Sequence, residues 1–144
     1  MSLPTHLTLE VVTPDRSVVT ERVDEVEIPG ADGYFGVLPG HAPLLAMLKV
    51  GELWYRQGSE KHYLAVAFGF VEVLPDRVTI LAQVAERPQD IDVERAERAK
   101  RRAEEALARP ATDQQGEHDF ERARVAMMKS LVRLQVASRA RTRA

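Results

Sequence analysis

The sequence predicts an α+β protein in two parts: an N-terminal β-sandwich over residues 1–87, followed by a C-terminal antiparallel α-helical hairpin over residues 88–144. Three observations carry this expectation. From Leu7 to Val84, short runs rich in Val, Leu, Ile and Thr are punctuated by Gly, Pro and Asp, the pattern of an all-β sandwich or barrel. After Pro88 the small apolar residues recur at spacings of three and four, the period of a helix. The charge balance also changes, because residues 1–87 carry 7 basic and 12 acidic side chains and residues 88–144 carry 13 and 10.

Taken in order, Leu7, Leu9 and Val11 alternate with Thr8, Glu10 and Val12 and so place three apolar groups on one face of a first strand, which Thr13-Pro14-Asp15 turns. Val23 to Ile28 reads as a more polar strand with one wet face, closed by Pro29-Gly30. The Gly30-Ala31-Asp32-Gly33-Tyr34-Phe35-Gly36 stretch has glycines at intervals of three. That is not the dinucleotide fingerprint, and the stretch reads as turns between strands. Two hairpins follow, Leu53–Gln57 with Lys61–Ala67 across Gly58-Ser59, and Phe70–Leu74 with Arg77–Ala85 across Pro75-Asp76.

Past Pro88, Asp90 or Asp92 supplies a helix cap, and Glu94 adds negative charge to the first turn, where the helix dipole favours it. Ala96, Ala99, Ala103 and Ala106 draw a narrow stripe that lets a second helix approach closely. Pro110 and Gly116 break the pattern, and Asp119 starts a second helix with Phe120, Ala123, Met127, Leu131 and Leu134 on one face, after a loop of about ten residues. Four alanines bury little area. At roughly 25 cal/mol per Å² the seam contributes only a few kcal/mol against the ordering of the hairpin, so two readings stand: a hairpin that can open, and an ordinary fixed helical pair.

With 44% hydrophobic and 29% charged residues the chain is too apolar to be disordered throughout. The apolar stretch Gly33–Met47 is interrupted by Gly36, Pro39, Gly40 and Pro43, so membrane insertion is not expected. The start MSLPTHLTLE lacks a secretory pattern and there is no cysteine, so a cytoplasmic location is expected. His6, His41, His62 and His118 show no metal-ligand spacing, and no nucleophile elbow is present, so neither a catalytic residue nor a metal is expected. Trp54 and Tyr55 lie in a strand pattern and read as packed aromatics rather than a stacking platform. After Glu121, seven basic residues (Arg122, Arg124, Lys129, Arg133, Arg139, Arg141 and Arg143) meet no further acid. They read either as a solvated face or as a surface for an anionic partner. One such reading is a small ligand-binding module with a basic nucleic-acid-binding tail, which steep salt dependence on DNA or RNA would reveal.

The segment GxxGxxGVLPGHAPLL, the later LAVAFGFVEVLPDRVTILAQVAER and the DIDVERA helix start, in that order over nearly the whole chain, resemble the epsilon subunits of F-type ATP synthases. The resemblance implies a ten-stranded sandwich that grips the central gamma subunit and rests on the membrane ring of c subunits, at the cytoplasmic face of the bacterial plasma membrane and without nucleic acid as partner. It implies that Tyr34 and His41 face the gamma–ring junction, while hydrogen bonding within its own turn remains the other reading of His41. It implies that the second helix can swing beside gamma and meet acidic loops of the alpha and beta subunit collar through Arg122, Arg124, Lys129 and Arg133, restraining ATP hydrolysis. It also implies a regulatory, non-obligatory ATP site with Glu86, Ile91, Asp92, Arg95, Ala96, Arg102, Lys129 and Arg133 at the matching positions. Lys129 stands where ATP-binding members have arginine, so a two-pronged phosphate contact becomes a single point charge. Asp92 and Arg95 read equally as a helix-start charge and a surface ion pair.

Overall fold

The computed structural model describes residues 3–109 and 114–141, which fall in two compact units, Met1–Arg87 and Pro88–Ala144. The first unit holds eight strands among the described residues: β1 (Leu7–Val12), β2 (Ser17–Val23), β3 (Glu25–Gly30), β4 (Gly33–Val37), β5 (Leu44–Leu48), β6 (Gly51–Gln57), β7 (Glu60–Leu74) and β8 (Arg77–Glu86). They pair in the order β2-β1-β8-β7-β5-β3-β4, with β6 joining β3 to β7. Pairing is antiparallel except between β1 and β8, which run parallel.

The first strand follows the expected alternation, with Leu7, Leu9 and Val11 buried and Thr8, Glu10 and Val12 half-buried. They join Ile28, Leu53, Leu64, Val71 and Ile80 in one continuous core. The Val23–Ile28 strand is corrected. Asp24 interrupts it, its N–H donating to the Arg56 carbonyl (2.8 Å) and its carboxylate accepting from the Gly58 amide (2.7 Å), so Val23 ends β2 and Pro29-Gly30 belong to β3. The turns expected over Gly30–Gly36 shrink to Ala31-Asp32, because Gly33–Val37 is a strand paired to β3. The glycine spacing hides an alternation in which Val37 is buried and Phe35 packs on the core.

Both expected hairpins form. Their shared strand, however, runs unbroken from Glu60 to Leu74 through a corner at Phe68 (φ 56°) and Gly69 (φ 139°). A Cβ at Gly69 would collide with the Leu81 carbonyl, and its φ is one that side chains rarely adopt. The first half of β7 pairs with β6, the second half with β5, and β8 spans both. One bent strand thus takes two places in the sheet, and the described residues hold eight strands where the resemblance implied ten.

The second unit begins with a 3-10 turn at Pro88–Asp90, then α1 (Val93–Leu107) and α2 (Gln114–Arg141). Asp92 is the cap of α1, its Oδ1 accepting from the Arg95 N–H at 3.1 Å. The alanine stripe packs as expected, with Ala96 and Ala103 buried and Ala99 and Ala106 half-buried. The second helix differs from expectation at its start. It begins at Gln114, not Asp119, and runs through Gly116, which lies in the first turn, where intrahelical amide bonds are not yet made. Helix α1 ends at Leu107 and α2 starts at Gln114, and the expected break at Pro110 lies outside the described residues.

The buried face of α2 is also corrected. Ala123, Ser130, Val136 and Ala137 are buried and Met127 and Leu134 half-buried, whereas Phe120 and Leu131 are exposed. The seam thus selects small residues seven apart, Ala123, Ser130 and Ala137, to match the alanines of α1. Ser130 can be buried because its hydroxyl donates to the Ala126 carbonyl at 2.8 Å. The 3-10 turn also packs on α2, so the start of α1 lies beside the C-terminal half of α2.

Candidate functional site

A strand with one wet face carries polar residues there, and β5, β7 and β8 break this rule. Leu45 and Met47 point outward from β5, Phe70 from β7 and Leu81 from β8, each more than half exposed. Register sets them side by side, Met47 opposite Phe70, Phe70 opposite Leu81, and Leu81 opposite half-buried Val12 of β1. The result is an apolar row across four strands on the outer face of the sheet. Sequence reasoning missed Met47, Phe70 and Leu81. The available signal was FVEV: Phe70 shares a face with Glu72, whereas Val71 and Val73 are buried.

The expected contact residues sit on this unit. Tyr34 projects from β4 with half its surface exposed, its hydroxyl accepting from the Glu52 N–H at 3.2 Å and the Lys49 ammonium 5.4 Å from its ring centre. His41 is half-buried in the β4–β5 connection. Its amide donates to the Leu38 carbonyl (3.2 Å), and its Nδ1 lies 2.7 Å from the Ala42 carbonyl, which can only accept, so that nitrogen carries the proton. The neighbouring Gly40 N–H donates to the Pro75 carbonyl at 2.7 Å. The geometry therefore shows His41 closing its own turn.

The residues matching the ATP pattern lie on both units. Glu86 ends β8 in the first. In the second, Ile91 is buried before α1, Asp92 caps it, Arg95 is exposed in its first turn, Ala96 is buried in the seam, and Arg102 is exposed about two turns further on. Lys129 and Arg133 lie half-buried on α2. Antiparallel pairing brings Arg95 and Arg133 toward one end of the hairpin, with Lys129 about one turn further along.

Of the basic set, Arg122 and Arg124 are exposed. Arg124 is not unopposed, because it pairs with Glu121 at 3.1 Å one turn back and touches the Met128 sulfur at 3.5 Å. The count began after Glu121 and so missed a partner that helical spacing supplies. The Arg141 side chain and Arg143 lie outside the described residues.

The remaining polar clusters stitch strands together. Arg87 donates to the Val18 carbonyl (3.0 Å) and the Tyr55 hydroxyl (3.3 Å), and desolvation raises the pKa of the buried Tyr55 phenol. Asp24 gathers the Gly58 amide, His6 at 3.1 Å and Arg56 at 3.8 Å, and its carboxyl is held below its ordinary range chiefly by the Gly58 hydrogen bond. Tyr55 is buried and Trp54 half-buried beneath Lys61, whose ammonium is 4.1 Å from the indole. Among the described residues no three His, Asp or Glu side chains converge as metal ligands, and no helix is long and apolar enough to cross a membrane.

Comparison with known proteins matches residues 6–88 to the beta-sandwich domain of the ATP synthase Delta/Epsilon chain and residues 89–138 to the long alpha-helix domain of the same chain. Relatives include an ATP synthase epsilon chain of Koribacter versatilis, 57% identical over 68% of this chain and 69% of that one. ATP synthase epsilon chain 2 of Syntrophotalea carbinolica is 48% identical over 92% of this chain and 94% of its own. The epsilon chain of Herpetosiphon aurantiacus is 47% identical over 94% and 96%. Among solved structures, the fold resembles a chain of the Euglena gracilis mitochondrial ATP synthase, in a structure of OSCP, F1 and c-ring. The TM-score is 0.79, with 24% identity over 95% of this chain and 84% of that one. A chain of the Tetrahymena thermophila mitochondrial ATP synthase central stalk and c-ring gives a TM-score of 0.59, with 14% identity over 96% and 98%.

Proposed function

Because the chain belongs to the ATP synthase Delta/Epsilon family, we propose that it serves as a non-catalytic rotor subunit of a bacterial F-type enzyme, joining the gamma subunit to the ring of c subunits. The observation that carries this reading is the apolar row of Met47, Phe70 and Leu81 on the outer face of the sheet. Exposed apolar area of this kind is costly to leave in water and suits a partner surface buried in a stable assembly. Tyr34 extends that face through Lys49, which continues the alternation of Leu45 and Met47. The subunit would sit peripherally at the cytoplasmic face of the membrane.

Regulation is assigned to the hairpin. Its seam is built mostly from alanines, with Ser130 and Val136, and α2 carries Arg122, Arg124, Lys129 and Arg133, which suit an acidic surface of the alpha and beta subunits. A compact hairpin would bind ATP weakly, with Arg95 and Arg133 the strongest phosphate ligands of the matching set. A tagged full-length chain should capture gamma together with alpha and beta, and an assembled enzyme lacking residues 114–144 should hydrolyse ATP faster. Capture of none of these subunits would remove the rotor reading, and unchanged hydrolysis would remove the regulatory one.

A further inference from the structure

We propose that Gly51 and the Glu52 amide act as positioning groups that hold Tyr34 as a rigid, preorganised contact at the end of the gamma-docking face. This rests on the proposed rotor role and names how one contact of that face is built. The pairing of β3 with β6 ends at Glu27 opposite Trp54. Bonds from β6 toward β3 come from alternate residues, as the Arg56 carbonyl shows by accepting the Asp24 N–H, so the Glu52 amide points toward β3 where β3 no longer pairs with it. The Tyr34 hydroxyl takes that amide instead, at 3.2 Å. The hydrogen bond latches the phenol at its far end.

Gly51 makes the path of the ring possible. A Cβ there would lie 2.5 Å from the Tyr34 hydroxyl oxygen and 2.5 Å from the Pro29 Cβ, so any side chain at 51 would lift the phenol from its bed. Lys49 adds a contact over the ring, its ammonium 5.4 Å from the ring centre. Tyr34 nevertheless remains 52% exposed. An exposed aromatic fixed at both ends loses little conformational freedom on docking, which is the property of a binding hot spot.

The test is binding of the full chain to purified gamma subunit, with melting temperature recorded for every variant. Tyr34→Phe keeps the ring and removes only the latch; it should weaken binding about fivefold, the loss of one hydrogen bond's worth of positioning, without unfolding the chain. Gly51→Ala should weaken binding by at least as much in the Tyr34 background. Added to Tyr34→Ala it should cost no further affinity, since the two act as one unit. If Tyr34→Ala itself leaves binding unchanged, the docking assignment of Tyr34 fails. If Tyr34→Ala weakens binding but Tyr34→Phe does not, or if Gly51→Ala adds fully to Tyr34→Ala, the positioning inference is overturned and the rotor reading stands.

Discussion

Replacing Phe70 by alanine separates docking from folding, because the side chain is 61% exposed and lies between exposed Met47 and Leu81. A phenylalanine presents about 200 Å², so about 120 Å² of this ring faces water in the free chain, and alanine would remove about 100 Å² of that. If gamma covers the row, at about 25 cal/mol per Å² the substitution costs about 2.5 kcal/mol of association, about a 70-fold rise in Kd. Stability should hold or rise slightly, since little of the buried core is touched. The assay is titration calorimetry of the full chain against purified gamma, with thermal melting of the free variant. A melting temperature within about two degrees of wild type together with a Kd change below threefold would refute the assignment of this face. A chain that melts much earlier would instead refute the premise that Phe70 stands outside the core.

Gly69→Ala should destabilise the sandwich by more than about 3 kcal/mol in urea unfolding, because it combines a forbidden φ with a collision against the Leu81 carbonyl; a loss under 1 kcal/mol would mean that the β7 corner relaxes freely. The lowered pKa of Asp24, caused first by the Gly58 amide and then by His6 and Arg56, means that the carboxylate stabilises the fold above its ordinary value of 3.8 and that this contribution fades as pH falls through the lowered value. Asp24→Asn should therefore flatten the acid limb of stability against pH, and an unchanged limb would show the cluster to be inert. Arg95→Ala should reduce ATP binding in calorimetry more than Lys129→Ala, because a guanidinium offers two directed bonds to phosphate and an ammonium one centre of charge; equal affinity in wild type and Arg95→Ala would reduce the helix-start pattern to capping.

Local chemistry made most of the fold legible. Alternation fixed the buried face of β1, turn residues fixed both hairpins, and Asp92 with the alanine stripe fixed α1. Where the reading failed, long-range structure overrode a local signal. Asp24 looks like any strand residue until the β6–β7 turn supplies its Gly58 partner, and β7 looks like two strands because Phe68-Gly69 is a corner instead of an end. On α2 the reading favoured the large residues Phe120 and Leu131, but the face packed on the alanines of α1 buries mostly small residues, Ala123, Ser130 and Ala137, together with Val136. The exposed apolar row was the least legible feature. Each member reads as core in isolation, and only the register across β5, β7 and β8 shows that they share the wet side of the sheet.

That same mismatch of size bears on how the hairpin would work. A seam of Ala96, Ala103, Ala123, Ser130 and Ala137 holds the helices close but removes little apolar area from water, while Phe120 and Leu131, which would contribute most, stay exposed on a basic helix. At about 1.5 Å per residue α2 runs about 42 Å against about 22 Å for α1, so α1 can cover only part of its length. The closed pair is therefore weakly stabilised by its own contacts, and its exposed face already carries the apolar and positive groups that an acidic partner would engage. A ligand shifts such an equilibrium only by its preference for one state. ATP bound between Arg95 and Arg133 would favour the paired helices, and a surface that engages Phe120, Leu131 and the arginines of α2 would favour the separated ones. The two would then compete both through the hairpin and for Arg133 itself, and the small side chains of the seam would keep the free-energy difference within reach of either.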